Sequence, residues 1–254
     1  MAALEIELVP CLKDNYAYLV HDSDQGLTAI VDPSEPDPVR KALAARGRKL
    51  THILNTHHHF DHTGGNIPLK EAFGATVVGP AKDHDRIPGI DVGVDEETNW
   101  KFGTRDVRVL EIPAHTRAHI AFVVDGAAFT GDTLFAMGCG RLFEGTPAMM
   151  WTSLSKLMRL PDSTRIYCGH EYTLNNGRFA LTLEPQNADL VARMRDVEAS
   201  RARHAPTIPT TLALEKKTNP FLRPDSSAIR RALNLAEADD VAVFAEMRKR
   251  KDSF

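Results

Sequence analysis

Thr56-His57-His58-His59-Phe60-Asp61-His62-Thr63-Gly64-Gly65-Asn66 is the stretch from which the organisation of this chain can be read. A backbone entering it in extended form puts alternate side chains on one side. His57 and His59 then face a common point, and His58 faces away. Asp61 and His62 are adjacent, so they reach that point only if the chain turns. Gly64-Gly65 is expected to supply the backbone freedom for the turn. Four side chains of metal-binding type in H-x-H-x-D-H spacing mark a metal site rather than a histidine-rich polar loop.

The rest of the chain has ordinary globular composition. Its 254 residues can bury a large core, as one domain or as one domain with an appendage. Apolar residues make up 43% and charged residues 26%, within the usual range. A net charge of −3 offers no basic field to nucleic acid. Residues 1–170 carry 17 basic and 22 acidic side chains, and residues 171–254 carry 14 and 12. The C-terminal part is thus slightly basic, most densely at Arg248-Lys249-Arg250-Lys251. Cys11, Cys139 and Cys168 are too few and too scattered for a disulfide framework or a thiolate zinc finger. The start lacks a basic segment followed by a long apolar run, so no signal peptide is expected. No segment approaches the ~20 apolar residues needed to span a bilayer. The expectation is a cytoplasmic monomer acting on a small molecule, without nucleic-acid or membrane partners.

Taken in order, residues 4–9, 16–21 and 27–31 read as short strands, with a turn at Lys13-Asp14-Asn15. Residues 38–46 have helical spacing and stop near Gly47. An apolar strand at 51–55 runs into the histidine stretch. After it, Asn66 is expected to cap a short helix ending at Gly74, followed by a strand at 75–78 and a loop at 79–100. Strands at 107–112, 120–124 and 127–130 follow, the last two joined by the hairpin signal Asp125-Gly126. Thr146-Pro147 opens a helix reaching Leu160, and the last strand is 165–168. From residue 171 the spacing is helical, over 175–183, 187–203, 225–236 and 239–251, with Pro206, Pro209 and Pro220 in the intervening loop. The chain thus reads as a mixed α/β domain over residues 1–170 and a small helical domain over 171–254.

His57, His115, Asp132 and His170 each lie just past a strand end, where sites are usually built on loops. With His59, Asp61 and His62 the candidates come to five imidazoles and two carboxylates. One catalytic zinc needs about three protein ligands plus water, so this set suits two ions that share a bridge. Only a carboxylate bridges through two oxygens. Asp61 is tied to His62, which leaves Asp132 for the bridge. His57, His59 and His115 then serve one metal, and Asp61, His62 and His170 the other. Two divalent ions with two carboxylates favour a bound hydroxide and hydrolysis of a carbonyl or phosphoryl centre.

At these residues the sequence resembles the metallo-β-lactamase-fold hydrolases, and within them the hydroxyacylglutathione hydrolase (glyoxalase II) family. The narrower likeness rests on Asp14-Asn15-Tyr16-Ala17-Tyr18-Leu19, Phe129-Thr130-Gly131-Asp132-Thr133-Leu134-Phe135, Gly138-Cys139-Gly140-Arg141, Phe143-Glu144-Gly145-Thr146, Cys168-Gly169-His170-Glu171-Tyr172-Thr173 and Asn219-Pro220-Phe221-Leu222-Arg223. It covers nearly the whole chain, including the helical end. The resemblance implies an αββα sandwich and two divalent ions bridged by an aspartate and water, with zinc expected and iron or manganese as alternatives. It also implies hydrolysis of S-(2-hydroxyacyl)glutathione by that bridging hydroxide. With S-D-lactoylglutathione the products are glutathione and D-lactate, the second step of methylglyoxal detoxification. Two same-fold alternatives are a mononuclear-iron glutathione persulfide dioxygenase and a metal-dependent nuclease.

The resemblance assigns substrate contacts to Arg141, Tyr172, Arg248 and Lys251, cations being suited to the two carboxylates of glutathione. Read by itself, the 248–251 run is the solvated end of a last helix, and only the resemblance favours binding, for Arg248 and Lys251 alone. Phe143 takes the place of a substrate-binding tyrosine found in some relatives, Phe60 that of a tryptophan, and Ala114 and Ala118 that of glycines. Asp32 reads either as a turn residue before Pro33 or as a carboxylate orienting a metal-bound imidazole. His119 reads as a buried structural histidine or as a hydrogen-bonding neighbour of the site.

Overall fold

Short β-rich runs separated by turn residues lay down the first sheet. The structure, a computed structural model, describes residues 2–254. Strands β1 (Glu5–Cys11), β2 (Asn15–Asp22) and β3 (Leu27–Val31) form an antiparallel meander, with Cys11 opposite Asn15 and Asp22 opposite Leu27. Helix α1 (Pro36–Arg46) then crosses to β4 (His52–Leu54), which pairs parallel with β3. Prolines fit the first turn of α1, where no N–H is needed. Gly47 ends it with a left-handed φ of 59°. Helices α2 (Phe60–Thr63) and α3 (Asn66–Phe73) lead to β5 (Thr76–Pro80) and β6 (Val92–Val94), both parallel additions. Val39 and Leu43 of α1 and Leu69 of α3 pack on Leu19, Ile30, Ile53 and Val77 of the sheet. Each is worth about 1.5–3 kcal/mol when fully buried.

The short pair β7 (Lys101–Phe102) and β8 (Arg105–Asp106) precedes an antiparallel set of β9 (Arg108–Glu111), β10 (Ile120–Val124) and β11 (Ala127–Gly131). Asp125 and Gly126 both have positive φ, 47° and 72°, as a two-residue hairpin turn matched to strand twist requires. Tyr18 of β2 meets Phe129 of β11 with ring centroids 5.7 Å apart. One face of the first sheet is therefore covered by helices and the other by these strands. This compact unit comprises residues up to Glu111 together with Ala118–Gly131.

The second unit is Ile112–Arg117 with Asp132–Phe254. It holds the hairpin β12 (Leu134–Phe135) and β13 (Gly138–Cys139), then α4 (Pro147–Leu157), whose Thr146 cap accepts from the Met149 N–H at 3.3 Å. After β14 (Arg165–Cys168) come α5 (Thr173–Leu183) and α6 (Ala188–Ala202). Strand β15 (Thr210–Thr211) pairs antiparallel with β14, and α7 (Leu212–Thr218), α8 (Ser227–Leu233) and α9 (Asp240–Asp252) follow. Asn187, Thr211, Ser226 and Asp239 cap four of these helices through their side chains. Leu190, Met194 and Val197 make the apolar stripe of α6 and bury against Met137 and Ala180.

Three expectations are corrected. Residues 79–100 are not all loop: Ala81–Arg86 forms a 3₁₀ helix and Val92–Val94 adds β6. The 3₁₀ turn is held by Asp83 pairing with Arg86, and β6 needs Gly93 because a Cβ there would press on Ala81 at 3.0 Å. Asn66 does not cap α3 but begins it. Its side chain is buried, donating to Asn55 Oδ1 at 2.7 Å and to the Pro88 carbonyl at 3.0 Å. Helix α7 and strand β15 occupy a stretch whose flanking prolines read as loop.

Candidate active site

In the first unit, the stretch after β4 is tied down by Asp32. The Thr56 N–H donates to Asp32 Oδ1 at 2.8 Å, and Thr56 Oγ1 donates to Oδ2 at 2.7 Å. His62 Nδ1 lies 3.2 Å from the same Oδ2. A carboxylate only accepts, so Nδ1 carries the hydrogen and the lone pair of His62 is on Nε2. Asp32 has a left-handed φ of 49°, so it is both the turn residue and the group that orients an imidazole.

His57 is fully buried, with Nδ1 3.0 Å from Thr56 Oγ1 and Nε2 3.1 Å from His59 Nδ1. Helix α2 makes the turn that brings Asp61 back, its Oδ2 3.7 Å from His62 Nε2 and accepting from Asn15 Nδ2 at 3.0 Å. The turn does not draw on glycine flexibility: Gly64 and Gly65 have ordinary right-handed φ of −60° and −82°. They are glycines for space, since a Cβ would meet the Ser34 carbonyl at Gly64 and the Pro33 carbonyl at Gly65. His58 points away, as alternation predicts. Its Nδ1 lies 3.0 Å from Asp83 Oδ2, and its Nε2 accepts from Arg86 Nη1 at 3.2 Å. His119 is buried and stacks on His57, centroids 4.6 Å apart at 18°, while its Nδ1 donates to the Ile120 carbonyl at 3.1 Å. Asp32, His57 and His62 also bring ligand atoms within 4.8 Å of one another, but Asp32 is engaged by the donors named above.

In the second unit, Asp132 stands directly after β11 and His170 two residues after β14. Asp132 Oδ2 lies 3.5 Å from His115 Nε2 and 3.3 Å from His170 Nε2. His115 Nδ1 donates to the Arg141 carbonyl at 2.9 Å, which leaves the lone pair on the Nε2 that faces Asp132. A Cβ on Gly140 would run into the Asp132 carbonyl oxygen, so the chain can pass only as glycine. The ring of His170 stacks on Tyr172 at 4.6 Å and 5°. Imidazole nitrogens with fixed lone pairs beside carboxylate oxygens, and no thiolate among them, form a donor set that fits zinc, iron or manganese. His115 follows Ala114, whose φ of 146° is a costly conformation for a residue with a Cβ. Ala114→Gly is expected to raise the unfolding free energy by about 1 kcal/mol, measured by urea denaturation. An unchanged or lower value contradicts strain there.

The second unit also holds the candidate substrate contacts. Phe143 is 60% exposed, its ring 5.1 Å from that of His115, and Tyr172 is 38% exposed. Arg248 is not a solvated tail cation: it is 5% exposed, with Nη1 donating to the Cys139 carbonyl at 2.8 Å and Nη2 paired with Asp252 at 2.9 Å. Its guanidinium also lies 5.2 Å from the Phe221 ring centre. Lys251 Nζ sits 5.2 Å from the Phe254 ring centre and 5.8 Å from that of Phe179. Burial, then the charges of Arg248 and Arg141, lower its pKa from 10.5 to about 8. In the same run, Arg250 is a surface ion-pair residue bound to Glu246. The brace of Asp83 and Arg86 on His58 and the stacking of His119 on His57 were missed in sequence because their partners are distant along the chain. The only local signal was Asp83-x-x-Arg86 at one-turn spacing.

Known proteins resemble this chain over most or all of its length. A metallo-β-lactamase superfamily model matches residues 13–170, and a hydroxyacylglutathione hydrolase C-terminus model matches residues 171–254. The hydroxyacylglutathione hydrolase of Methylococcus capsulatus is 53% identical over 253 residues, covering 99% of each chain. That of Maricaulis maris is 52% identical over 256 residues, covering 100% of each. Among solved structures, ETHE1 from Myxococcus xanthus superposes with a TM-score of 0.68 at 24% identity, over 98% of this chain and 100% of that one. TTHA1623, solved in a di-iron-bound form, gives a TM-score of 0.58 at 28% identity, over 82% and 95%.

Proposed function

The chain belongs to the hydroxyacylglutathione hydrolase family of the metallo-β-lactamase superfamily, and from that premise we propose how its residues divide the work. It is a thioester hydrolase of S-(2-hydroxyacyl)glutathione, with S-D-lactoylglutathione as the preferred substrate and D-lactate and glutathione as products. His57, His59 and His115 would hold one divalent ion and Asp61, His62 and His170 a second, with Asp132 serving both, and zinc would fit both positions. The observation that carries this reading is the single Asp132 oxygen facing two imidazoles from two different loops. The di-iron form of TTHA1623 supports a two-metal count. Elemental analysis should find about two ions per chain, as this ligand arithmetic requires. One ion per chain would sink the assignment.

Bound divalent ions supply Lewis acidity at the thioester carbonyl and lower the pKa of water to about 7. The protein's own contributions are orientation and charge. Asp32 and the Arg141 carbonyl fix which nitrogens of His62 and His115 are free to bind metal. Arg141, Tyr172, Arg248 and Lys251 take the polar groups of glutathione, the cations by charge-assisted bonds to its carboxylates. The leaving thiolate corresponds to an acid of pKa about 8.5, so no side chain need protonate it. Residues 1–170 form the metal domain and 171–254 complete the glutathione site. Among the described residues no helix is long and apolar enough to cross a membrane. We place the protein in the cytoplasm as a monomer, which sedimentation would test.

Lys251 gives the substrate site a pH dependence of definite sign. Its cation is present below about pH 8 and lost above it, so KM for the thioester should climb as pH passes that value. Lys251→Met should show a KM raised about tenfold at neutral pH, the worth of one charge-assisted bond, and flat through that range. A wild-type KM that does not change with pH would contradict the role. Phe143 offers a gain: Phe143→Tyr restores a hydroxyl and should lower KM about two- to tenfold, one neutral hydrogen bond, with kcat little changed. Equal KM for the two enzymes would show that the hydroxyl finds no partner.

A further inference from the structure

The Asn219-Pro220-Phe221-Leu222-Arg223 motif and the buried pair Arg193–Glu215 have no part in the chemistry above, yet they converge on one loop. Every residue from Phe135 to Cys139 has a backbone polar group bonded by a side chain of the helical region. Asn219 Nδ2 donates to the Phe135 carbonyl at 3.1 Å and to the Gly138 carbonyl at 3.0 Å. Asn176 Nδ2 donates to the Ala136 carbonyl at 3.1 Å. The Met137 N–H donates to Glu215 Oε2 at 2.8 Å, and Arg248 Nη1 to the Cys139 carbonyl. Met137 holds a left-handed φ of 54° there, a conformation a methionine keeps only when its surroundings impose it. Glu215 is itself braced: its Oε1 accepts from Arg193 Nη2 and from Thr210 Oγ1 at 2.7 Å, and both charged partners are buried.

The loop leads directly into the site. The Gly140 N–H bonds the Thr133 carbonyl at 3.1 Å, and the Arg141 carbonyl receives His115 Nδ1. We propose that Asn176, Glu215 and Asn219 are positioning residues: through the Phe135–Cys139 loop they set both the Arg141 cation and the imidazole of His115. On this inference the helical region governs metal affinity as well as substrate binding. It rests on the roles given to Arg141 and His115 in the proposed function.

Asn219→Asp tests it, because the isosteric change keeps the acceptor for the Phe221 N–H and turns the donor aimed at two carbonyls and at Glu215 Oε2 into an acceptor. In the full-length, metal-loaded protein, metal affinity by chelator competition should fall about 10–100-fold, as for other partners that orient a ligand. KM for the thioester should rise about tenfold, as when one charge-assisted bond is lost. Ser226→Ala is the control. It removes the α8 cap and its bond to Glu184, so it should lower Tm and leave both readouts unchanged. Should Asn219→Asp fail to fold, Asn176→Ala decides, since it removes only the bond to Ala136. A lower Tm with unchanged metal affinity and KM in these variants overturns the proposal. Chelator competition needs no substrate, so a wild-type protein inactive on the thioester would refute the functional reading and leave this test standing.

Discussion

Asp132→Ala is expected to abolish measurable turnover and to lower the metal content below two ions per chain. The expected scale follows from position. Partners one bond removed from a ligand shift metal affinity by about 10–100-fold. Loss of a carboxylate facing both His115 and His170 should exceed that, and turnover should fall with it once the Lewis acid is misplaced. The reason is that one oxygen lies within 3.5 Å of two imidazole nitrogens. Asp132→Asn separates charge from shape: it keeps an oxygen in place and removes the negative charge, and should retain metal better than alanine while remaining slow. A folded Asp132→Ala protein with two ions and wild-type turnover would end the assignment.

The second large effect is on stability. Arg105 is buried and joins parts of the first unit far apart in sequence. Its Nε donates to Asp22 Oδ2 at 2.7 Å, Nη2 donates to the Ala2 carbonyl at 2.7 Å, and Nη1 pairs with Asp125 in the β10–β11 turn. Asp22 has no exposed surface. Removing one partner of a buried pair leaves the other charge unsolvated and costs about 3–5 kcal/mol. For a chain of this size that lowers Tm by about 6–20 °C. Arg105→Met should therefore be severely destabilised, and adding Asp22→Leu should return much of the loss, because the buried charge is then gone. Arg105 also sets an acid dependence. Its hydrogen bond is the largest cause holding the Asp22 pKa down from 3.8 to about 2. A depressed carboxylate stabilises the fold above its unfolded pKa of about 4 and loses that contribution as pH falls towards about 2. Thermal melts across that window should show the decline in the wild type and a smaller one in Arg105→Met. Equal slopes would contradict the pairing.

The fold was largely readable because its signals are local. Short β-rich runs bounded by turn residues marked β1 to β3, Asp125-Gly126 marked a turn with both residues at positive φ, and Thr146-Pro147 marked the start of α4. The placement of the site was readable for a related reason: ligand-type residues recur just past β4, β9, β11 and β14. What escaped reading depends on partners distant in the chain. Nothing near Gly64-Gly65 shows that they are needed for clearance from Pro33 and Ser34 rather than for a positive φ. Nothing near Asn66 shows that its amide is claimed by Asn55 and Pro88 instead of the helix end. Helix α7 was hidden by the prolines that flank it, Pro206, Pro209 and Pro220, although its Thr211 cap follows the usual pattern. The tautomer of His115 is decided by a carbonyl 26 positions away, beyond any local rule.

Metal-dependent thioester hydrolysis is decided by a stoichiometric assay of the metal-loaded protein on S-D-lactoylglutathione, following thiol, 2-hydroxy acid and dissolved oxygen together. One thiol and one D-lactate are expected per thioester consumed, with no oxygen uptake and with loss of the reaction on chelation. Oxygen consumption without thioester cleavage, or cleavage that survives complete metal removal, would contradict it.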